Sequence, residues 1–179
     1  MNEQDRRQQA IELYDRFTHE GMERRDFMAA MSRIAGGAAA ATAAGVAMIG
    51  ELEDRKGGNG KVGAVGFCWG GAYVNRLAVA AGDELDAGVI YYGPAPDVSE
   101  AAKVDAPLMF HLAGLDERVN TTALPWITAL REAGEQATYH HYDGVNHAFN
   151  NDTSAERYDK AAAGLAWQRT LRFFKKHLA

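Results

Sequence analysis

The spacing of hydrophobic and polar positions changes along the chain. Residues 2–28 are polar and charged, with apolar side chains at roughly helical intervals, and an alanine- and glycine-rich run follows them. From Lys61 onward, short apolar runs alternate with longer amphipathic ones. This pattern predicts an N-terminal helical segment over residues 1–56 and an α/β unit over residues 57–179.

Four of the later apolar runs have the length of buried strands, and three longer segments have helical spacing. The strands are predicted at Lys61–Phe67, Ala87–Tyr92, Pro107–Ala113 and Ala137–Tyr142, and the helices at Gly70–Ala81, Thr121–Ala133 and Ser154–Leu178. Pro125 suits the first turn of the second helix. Because buried strands that alternate with helices usually pair in parallel, we expect about four mainly parallel strands flanked by helices.

The composition narrows the classes of function. A net charge of −5 does not suggest the broad basic surface that nucleic-acid-binding proteins have. A single cysteine allows neither an internal disulfide nor a cysteine-rich zinc site. The histidines lack metal-binding helical spacing, and His140 and His141 point to opposite faces of a strand. We therefore expect no metal and no organic cofactor.

A candidate export signal lies in the N-terminal segment. Arg24 and Arg25 precede an uncharged, alanine-rich run from Ile34 to Gly50, a pattern typical of twin-arginine signals. The alternative is a pair of packed helices on either side of Gly36–Gly37. The run is too weakly hydrophobic to predict an integral membrane role. We expect a periplasmic protein if the signal functions and a cytoplasmic one otherwise.

The only cysteine, Cys68, lies among glycines in the stretch GAVGFCWGG. A nucleophile on a tight turn between a strand and a helix needs small neighbours, because the two elements nearly touch there. Gly66, Gly70 and Gly71 meet this requirement. A lone cysteine can equally be a small buried hydrophobe, so its partners decide between the two interpretations.

The helix that follows Cys68 adds to the chemistry of the turn. Its N-terminus favours the thiolate, and the backbone N–H of Trp69 is placed to stabilise an oxyanion. A nucleotide-binding loop is disfavoured, because the glycine spacing is not G-x-G-x-x-G and no ribose-binding acid follows the next strand. A redox-sensing thiol is also an alternative, although the chain has no resolving cysteine.

An acid and a histidine follow the next strands in the order that a hydrolase triad requires. Asp116 comes just after the third predicted strand, and His147 lies in the loop after the fourth. The carboxyl ends of parallel strands meet at one edge of a sheet, so these side chains are expected to meet Cys68 there. Taken singly, Asp116 could be a helix cap and His147 a loop histidine. Asp143 is an alternative acid, although Asp143–Gly144 is also an ordinary turn pair.

In combination, these motifs resemble the dienelactone hydrolase family of the α/β-hydrolase fold. The resemblance covers about Lys61 to Ala179 and rests on GFCWGG, YYG, PLMFHLAGLDERV and YDGVNHAFNND. It implies that Cys68 is the nucleophile, Asp116 the orienting acid and His147 the base of a hydrolase acting on a small-molecule ester or lactone. Tyr92, Phe149 and Asn151 are candidate residues of the substrate pocket.

The chain also departs from that family. Members carry a further segment between the export signal and the turn that holds the cysteine. This segment supplies the first half of the sheet and a second oxyanion donor. The dienelactone enzymes have an arginine for the substrate carboxylate where this chain has Asn151. We therefore expect a substrate other than dienelactone. The alternative is a catalytically weak or silent member, whose exposed sheet edge is covered by a partner subunit or by a second copy of the chain.

Overall fold

The computed structural model describes residues 38–179 continuously. It also describes eight separate residues before them, which are Asp5, Gln9, Glu12, Leu13, Arg16, Glu23, Asp26 and Ala30. The chain divides into two compact units, Met1–Gly45 and Val46–Ala179. The candidate export signal at Arg24–Arg25 lies outside the described residues. None of the described helices combines the length and hydropathy that a membrane span needs.

Four strands and four α-helices are described within residues 38–179. In chain order they are α1 (Ala38–Glu53), β1 (Gly63–Phe67), α2 (Trp69–Ala81), β2 (Ala87–Tyr91), β3 (Leu108–Ala113), α3 (Glu117–Glu132), β4 (Ala137–Tyr142) and α4 (Lys160–His177). Short 3₁₀ turns lie at Gly82–Glu84 and Val98–Lys103. The strands form one sheet in the order β1-β2-β3-β4, and every pairing is parallel. The predicted α/β class is confirmed.

Strand β2, one of the two central strands, is buried on both faces, and its alternate residues face two different apolar clusters. Ile90 packs in the cluster that includes Leu77 of α2 and Trp126 of α3. Tyr91 packs in the cluster that includes Phe173 of α4. The helices therefore cover both faces of the sheet. The loops at the carboxyl edge of the sheet can form a functional site.

The helix predicted at Gly70–Ala81 begins one residue earlier, at Trp69. The other two predicted helices begin several residues away from the expected position, and in both cases an aspartate cap decides the start. Helix α3 begins at Glu117 rather than Thr121, because Asp116 accepts a hydrogen bond from the backbone N–H of Val119. Pro125 therefore lies inside the helix and not in its first turn. Helix α4 begins at Lys160 rather than Ser154, because the Asp159 side chain accepts from the N–H of Ala162.

Strand β1 lies at an edge of the sheet. Its register runs against β2 alone, and the described residues provide no strand on its other side. Val65 is 40% exposed and Phe67 is 38% exposed. An apolar edge with unpaired backbone groups favours association with another strand.

Candidate active site

Cys68 is the single residue between β1 and α2. Its backbone has φ 54° and ψ −115°, a left-handed conformation that is strained for a residue with a side chain. Two hydrogen bonds hold it there. The N–H of Cys68 donates to the carbonyl of Tyr91 at 2.9 Å, and the N–H of Ala72 donates to the carbonyl of Cys68 at 3.1 Å. The turn thus lifts the half-buried sulfur clear of the sheet.

The glycines around Cys68 differ in what they contribute. A Cβ atom on Gly66 would lie 2.1 Å from the backbone oxygen of Gly70, and one on Gly71 would lie 2.9 Å from the oxygen of Tyr91. At Gly70 a Cβ atom would meet nothing within 4 Å, so the expected need for a small residue does not extend to that position. Sequence reasoning missed Gly93, where a Cβ atom would lie 2.4 Å from the backbone of Gly71. The YYG motif carried that signal.

Asp116 has two hydrogen-bonding tasks. One carboxylate oxygen, Oδ1, accepts from the backbone N–H of Val119 at 3.3 Å and caps α3. The other, Oδ2, lies 2.5 Å from Nδ1 of His147. The side chain is 6% exposed, and the helix N-terminus favours its negative charge.

His147 lies between the acid and the cysteine. Its Nδ1 contacts Asp116, and its Nε2 lies 3.1 Å from the sulfur of Cys68. Two backbone hydrogen bonds join the loops that carry the acid and the histidine: Gly114 N–H donates to Tyr142 O at 2.8 Å, and Leu115 N–H donates to Val145 O at 3.0 Å. The structure therefore brings together the three side chains that the sequence placed at three strand ends.

Strained backbone is concentrated around this cluster. Among the described residues, three non-glycine residues have positive φ angles, namely Cys68 at 54°, Tyr92 at 39° and Ala148 at 66°. Tyr92 directly follows β2, and Ala148 directly follows His147. Strain of this kind persists only where the surrounding structure enforces it, and it is frequent at functional sites.

The aromatic ring of Tyr92 packs beside the imidazole of His147. Its ring centroid lies 4.9 Å from that of His147, and the side chain is almost fully buried. Burial, followed by the nearby Cys68 and Tyr91, raises the pKa of the Tyr92 phenol well above its usual value. The phenol is therefore neutral at physiological pH and can act only as a hydrogen-bonding or packing group.

The other expected pocket residues lie in different environments. Phe149 is fully buried and packs against the rings of Tyr92 and Tyr142. It therefore holds the Tyr92 ring in place and does not face the open site. Asn151 is exposed, and its side-chain oxygen accepts from the backbone N–H and the hydroxyl of Thr153 in a local turn.

Trp69 opens α2, so its backbone N–H has no acceptor within the helix. Its indole ring is 58% exposed and stacks on Tyr73 with ring centroids 5.9 Å apart. The residue after Cys68 therefore offers both a backbone donor and a flat apolar surface.

The alternative acid, Asp143, has a different partner. It lies 2.8 Å from Nδ1 of His141, and both side chains are solvent-exposed. This second histidine–aspartate pair contains no nucleophile. It therefore supplies a natural control for experiments on His147 and Asp116.

A cavity of about 480 Å³ lies against the acid and the histidine. It is lined by Leu115, Asp116, Arg118, Asn146, His147, Glu156 and Arg157. Cys68 is not among these residues, so the cavity borders the histidine–acid pair from the side and does not enclose the sulfur. No group of three metal-ligating side chains occurs in the part of the chain that the structure describes.

Comparison with known proteins gives this geometry a context. The chain is 37% identical over 120 residues to Protein usf of Aquifex pyrophilus, covering 66% of this chain and 52% of that protein. It is 37% identical over 117 residues to carboxymethylenebutenolidase of Pseudomonas putida, covering 64% of this chain and 48% of that enzyme. The chain thus spans about half the length of these relatives.

Solved structures agree in fold. The crystal structure of dienelactone hydrolase from Anabaena variabilis superposes with a TM-score of 0.64 at 20% identity, covering 79% of this chain and 62% of that one. The model of the dienelactone hydrolase family matches residues 9–178, which is nearly the whole chain. The chain therefore belongs to the dienelactone hydrolase family, as the motifs around Cys68, Asp116 and His147 predicted.

Proposed function

We propose that the chain is a thiol-dependent hydrolase of carboxylic esters or lactones, with Cys68 as nucleophile, His147 as base and Asp116 as the acid that orients it. The observation that carries this proposal is the continuous contact from Cys68 Sγ through His147 to Asp116, at 3.1 Å and 2.5 Å. A nucleophile, a base within hydrogen-bonding reach and a third group that orients the base are the parts that covalent catalysis requires.

In the first half of the reaction, His147 Nε2 accepts the thiol proton and the thiolate attacks the carbonyl carbon. The tetrahedral oxyanion accepts a hydrogen bond from the backbone N–H of Trp69. When the intermediate collapses, the carbon–oxygen bond to the leaving group breaks. The leaving oxygen takes the proton from His147, and a thioester on Cys68 remains.

In the second half, His147 accepts a proton from water, and the resulting hydroxide attacks the thioester carbonyl. The carbon–sulfur bond breaks, the Cys68 sulfur recovers a proton from His147, and the carboxylic acid leaves. Asp116 retains its negative charge throughout and stabilises the imidazolium that forms in each half. With a lactone, the alcohol and the acid leave as one molecule.

Two features bear on substrate and rate. The exposed indole of Trp69 lies next to the nucleophile and suits an apolar acyl or alcohol group. Asn151 offers no positive charge for a substrate carboxylate, which favours neutral esters or lactones. Loss of one oxyanion donor typically lowers kcat by about 10²–10³, so a site that relies on Trp69 alone would be slow.

The decisive experiment follows p-nitrophenyl acetate hydrolysis over many equivalents of wild-type protein. We expect sustained turnover that is abolished in Cys68→Ala and His147→Ala. The matched control His141→Ala removes the exposed histidine that pairs with Asp143, and it should keep wild-type turnover. Retained turnover in Cys68→Ala or His147→Ala would remove the triad assignment. A single stoichiometric burst would show that Cys68 is acylated but not regenerated.

The free edge of β1 favours a second candidate, a catalytically weak or silent member that needs a partner subunit. The observation is the exposure of Val65 and Phe67 on a strand that pairs only with β2 among the described residues. In this case a second copy of the chain would cover the edge. Turnover per chain of a weak member would then rise with protein concentration, a silent member would show no turnover, and an independent enzyme would keep a constant specific activity.

A further inference from the structure

A second cavity lies between α4 and the strands β3 and β4, toward the amino ends of the strands and away from Cys68. Its volume is about 400 Å³. The lining residues are Pro107, Leu108, Met109, Gln136, Thr138, His140, Arg169, Arg172, Phe173, Lys176 and His177. We call this cavity the basic cleft.

The charges of the basic cleft are all of one sign. Arg169, Arg172 and Lys176 are spaced three and four residues apart, which places them on one face of α4. His140 joins them from β4 and His177 from the end of α4. No carboxylate occurs among the described residues that line the cleft. In a chain of net charge −5, this is a local concentration of cations and not a reflection of overall composition.

The helix dipole explains only part of this concentration. Cations in the last turn of a helix are favoured, which accounts for Lys176 and His177. Arg169 and Arg172 lie before that turn, where the dipole effect has faded. Within the described residues, neither Arg172 nor Lys176 has a carboxylate within 4.0 Å.

Several of these side chains are held in place by neighbouring rings. The guanidinium of Arg169 lies over the ring of Tyr142, 5.4 Å from its centroid. The imidazole of His140 stacks on His111 at 5.8 Å. The ring of His177 lies 4.6 Å from that of the buried Phe173. Because these contacts already order the side chains, less conformational entropy is lost when a ligand binds.

The electrostatics agree with an excess of positive charge. Burial, together with Arg169 and Arg172, lowers the pKa of His140. Burial, together with Lys176 and Lys61, lowers the pKa of His177. Each histidine therefore experiences neighbouring cations that no described anion of the cleft compensates.

We propose that the basic cleft binds a small anion that carries two or more phosphate or carboxylate groups. The planar forks of Arg169 and Arg172 suit such groups, and Lys176 adds a mobile ammonium. The cavity has the size of a small-molecule site, and its apolar lining includes Met109 and Phe173. The site is independent of the proposed hydrolase chemistry, because Cys68, Asp116 and His147 do not line the cleft.

Calorimetric titration with inorganic pyrophosphate tests this proposal, with citrate as the carboxylate arm and sodium acetate as the singly charged comparison. For the wild-type chain near physiological salt we expect saturable binding with a Kd on the order of 1 mM or tighter. The double variant Arg172→Gln/Lys176→Gln should weaken binding about tenfold or more, since two charge-assisted contacts are lost. Pyrophosphate or citrate binding alone would identify the preferred group, and either supports the site.

The matched control is Lys160→Gln/Lys175→Gln. Both lysines are exposed on α4, neither lines the cleft, and the change in net charge is the same. Its affinity should stay within about twofold of wild type. An equal loss in both double variants, or no saturable binding, would overturn the proposal. Proton NMR of the wild-type chain gives a second readout: pyrophosphate should shift the ring resonances of His140 and His177, and a shift confined to His147 would contradict the assignment.

Discussion

The Nε2 atom of His147 lies 3.1 Å from the sulfur of Cys68, although 79 positions separate the two residues in the chain. The contact forms because both residues follow strands of one parallel sheet, whose carboxyl ends share an edge. Two further strands separate β1 from β4, so the loop that carries His147 must extend across the edge of the sheet toward Cys68. The backbone N–H of Leu115, in the loop of Asp116, donates a hydrogen bond to the carbonyl of Val145 and so fixes the two loops against each other.

The two tasks of Asp116 can be separated by substitution. Asp116→Asn keeps an oxygen that can cap α3 but loses the charge that orients His147, so we expect kcat to fall about a thousandfold or more while Tm changes little. Asp116→Ala should lose activity and also about 1 kcal/mol of stability, because the cap is gone. Ester turnover and thermal unfolding measure the two effects. Asp143→Asn, in the exposed pair with His141, should change neither. Wild-type activity in Asp116→Asn would contradict the proposed role.

The glycines around Cys68 predict a difference in stability between neighbouring positions. Gly66→Ala places a Cβ atom against the Gly70 backbone, and we expect it to lower the free energy of unfolding by on the order of 3 kcal/mol or more. Gly71→Ala should act in the same direction. Gly70→Ala meets open space on α2 and should leave stability unchanged or raise it by up to about 1 kcal/mol. Urea unfolding of the three variants measures this. Equal losses in Gly70→Ala and Gly66→Ala would refute the steric argument.

A buried polar network predicts how stability depends on pH. His111 is fully buried, with Nδ1 2.9 Å from the Tyr142 hydroxyl and Nε2 3.0 Å from the Thr170 hydroxyl, and Thr170 lies 2.8 Å from the Tyr91 hydroxyl. Burial, with smaller effects of His140 and Arg169, lowers the pKa of His111 from 6.5 to about 3. The unfolded chain therefore takes up a proton at a higher pH than the folded chain.

The sign of the effect follows from that difference. The stabilising contribution of neutral His111 is complete above about pH 6.5 and declines as the pH falls toward 3. By about pH 4.5 the loss from this one group is roughly 3 kcal/mol, and the lowered pKa values of His140 and His177 act in the same direction. Urea unfolding at neutral pH and at about pH 4.5 should show the loss. The control His111→Gln cannot titrate, so it should have a flatter profile. An unchanged slope in that variant would exclude His111 as the cause.

The exposed edge of β1 predicts association. If a second copy covers the edge, sedimentation of the wild-type chain should depend on concentration, and Val65→Lys should shift it toward the smaller species, because a lysine on an edge strand opposes pairing. The control Val98→Lys changes an equally apolar, 47% exposed residue away from β1 and should sediment like wild type. A wild-type chain that stays monomeric at every concentration would refute association through this edge.

The alternation of strands and helices from Lys61 onward was readable from the sequence, because hydrophobic periodicity is a local property. The same holds for the order of Cys68, Asp116 and His147, since parallel strands present their carboxyl ends at one edge. The residues at which the helices begin were harder to predict from the sequence. Asp116 and Asp159 decide them, and an aspartate before a helix cannot be told from an ordinary turn aspartate without knowing which N–H it accepts from.

Other features depended on the tertiary structure alone. The sequence places Gly66 and Gly70 equally close to Cys68, but only Gly66 faces a backbone oxygen. Phe149 was a candidate for the substrate pocket, and packing buries it behind Tyr92. The basic cleft brings α4 together with β3 and β4, which lie earlier in the chain, and none of these segments is unusual by itself. Which side chains share an environment is decided by the segments that pack together, and local patterns carry no information about those distant neighbours.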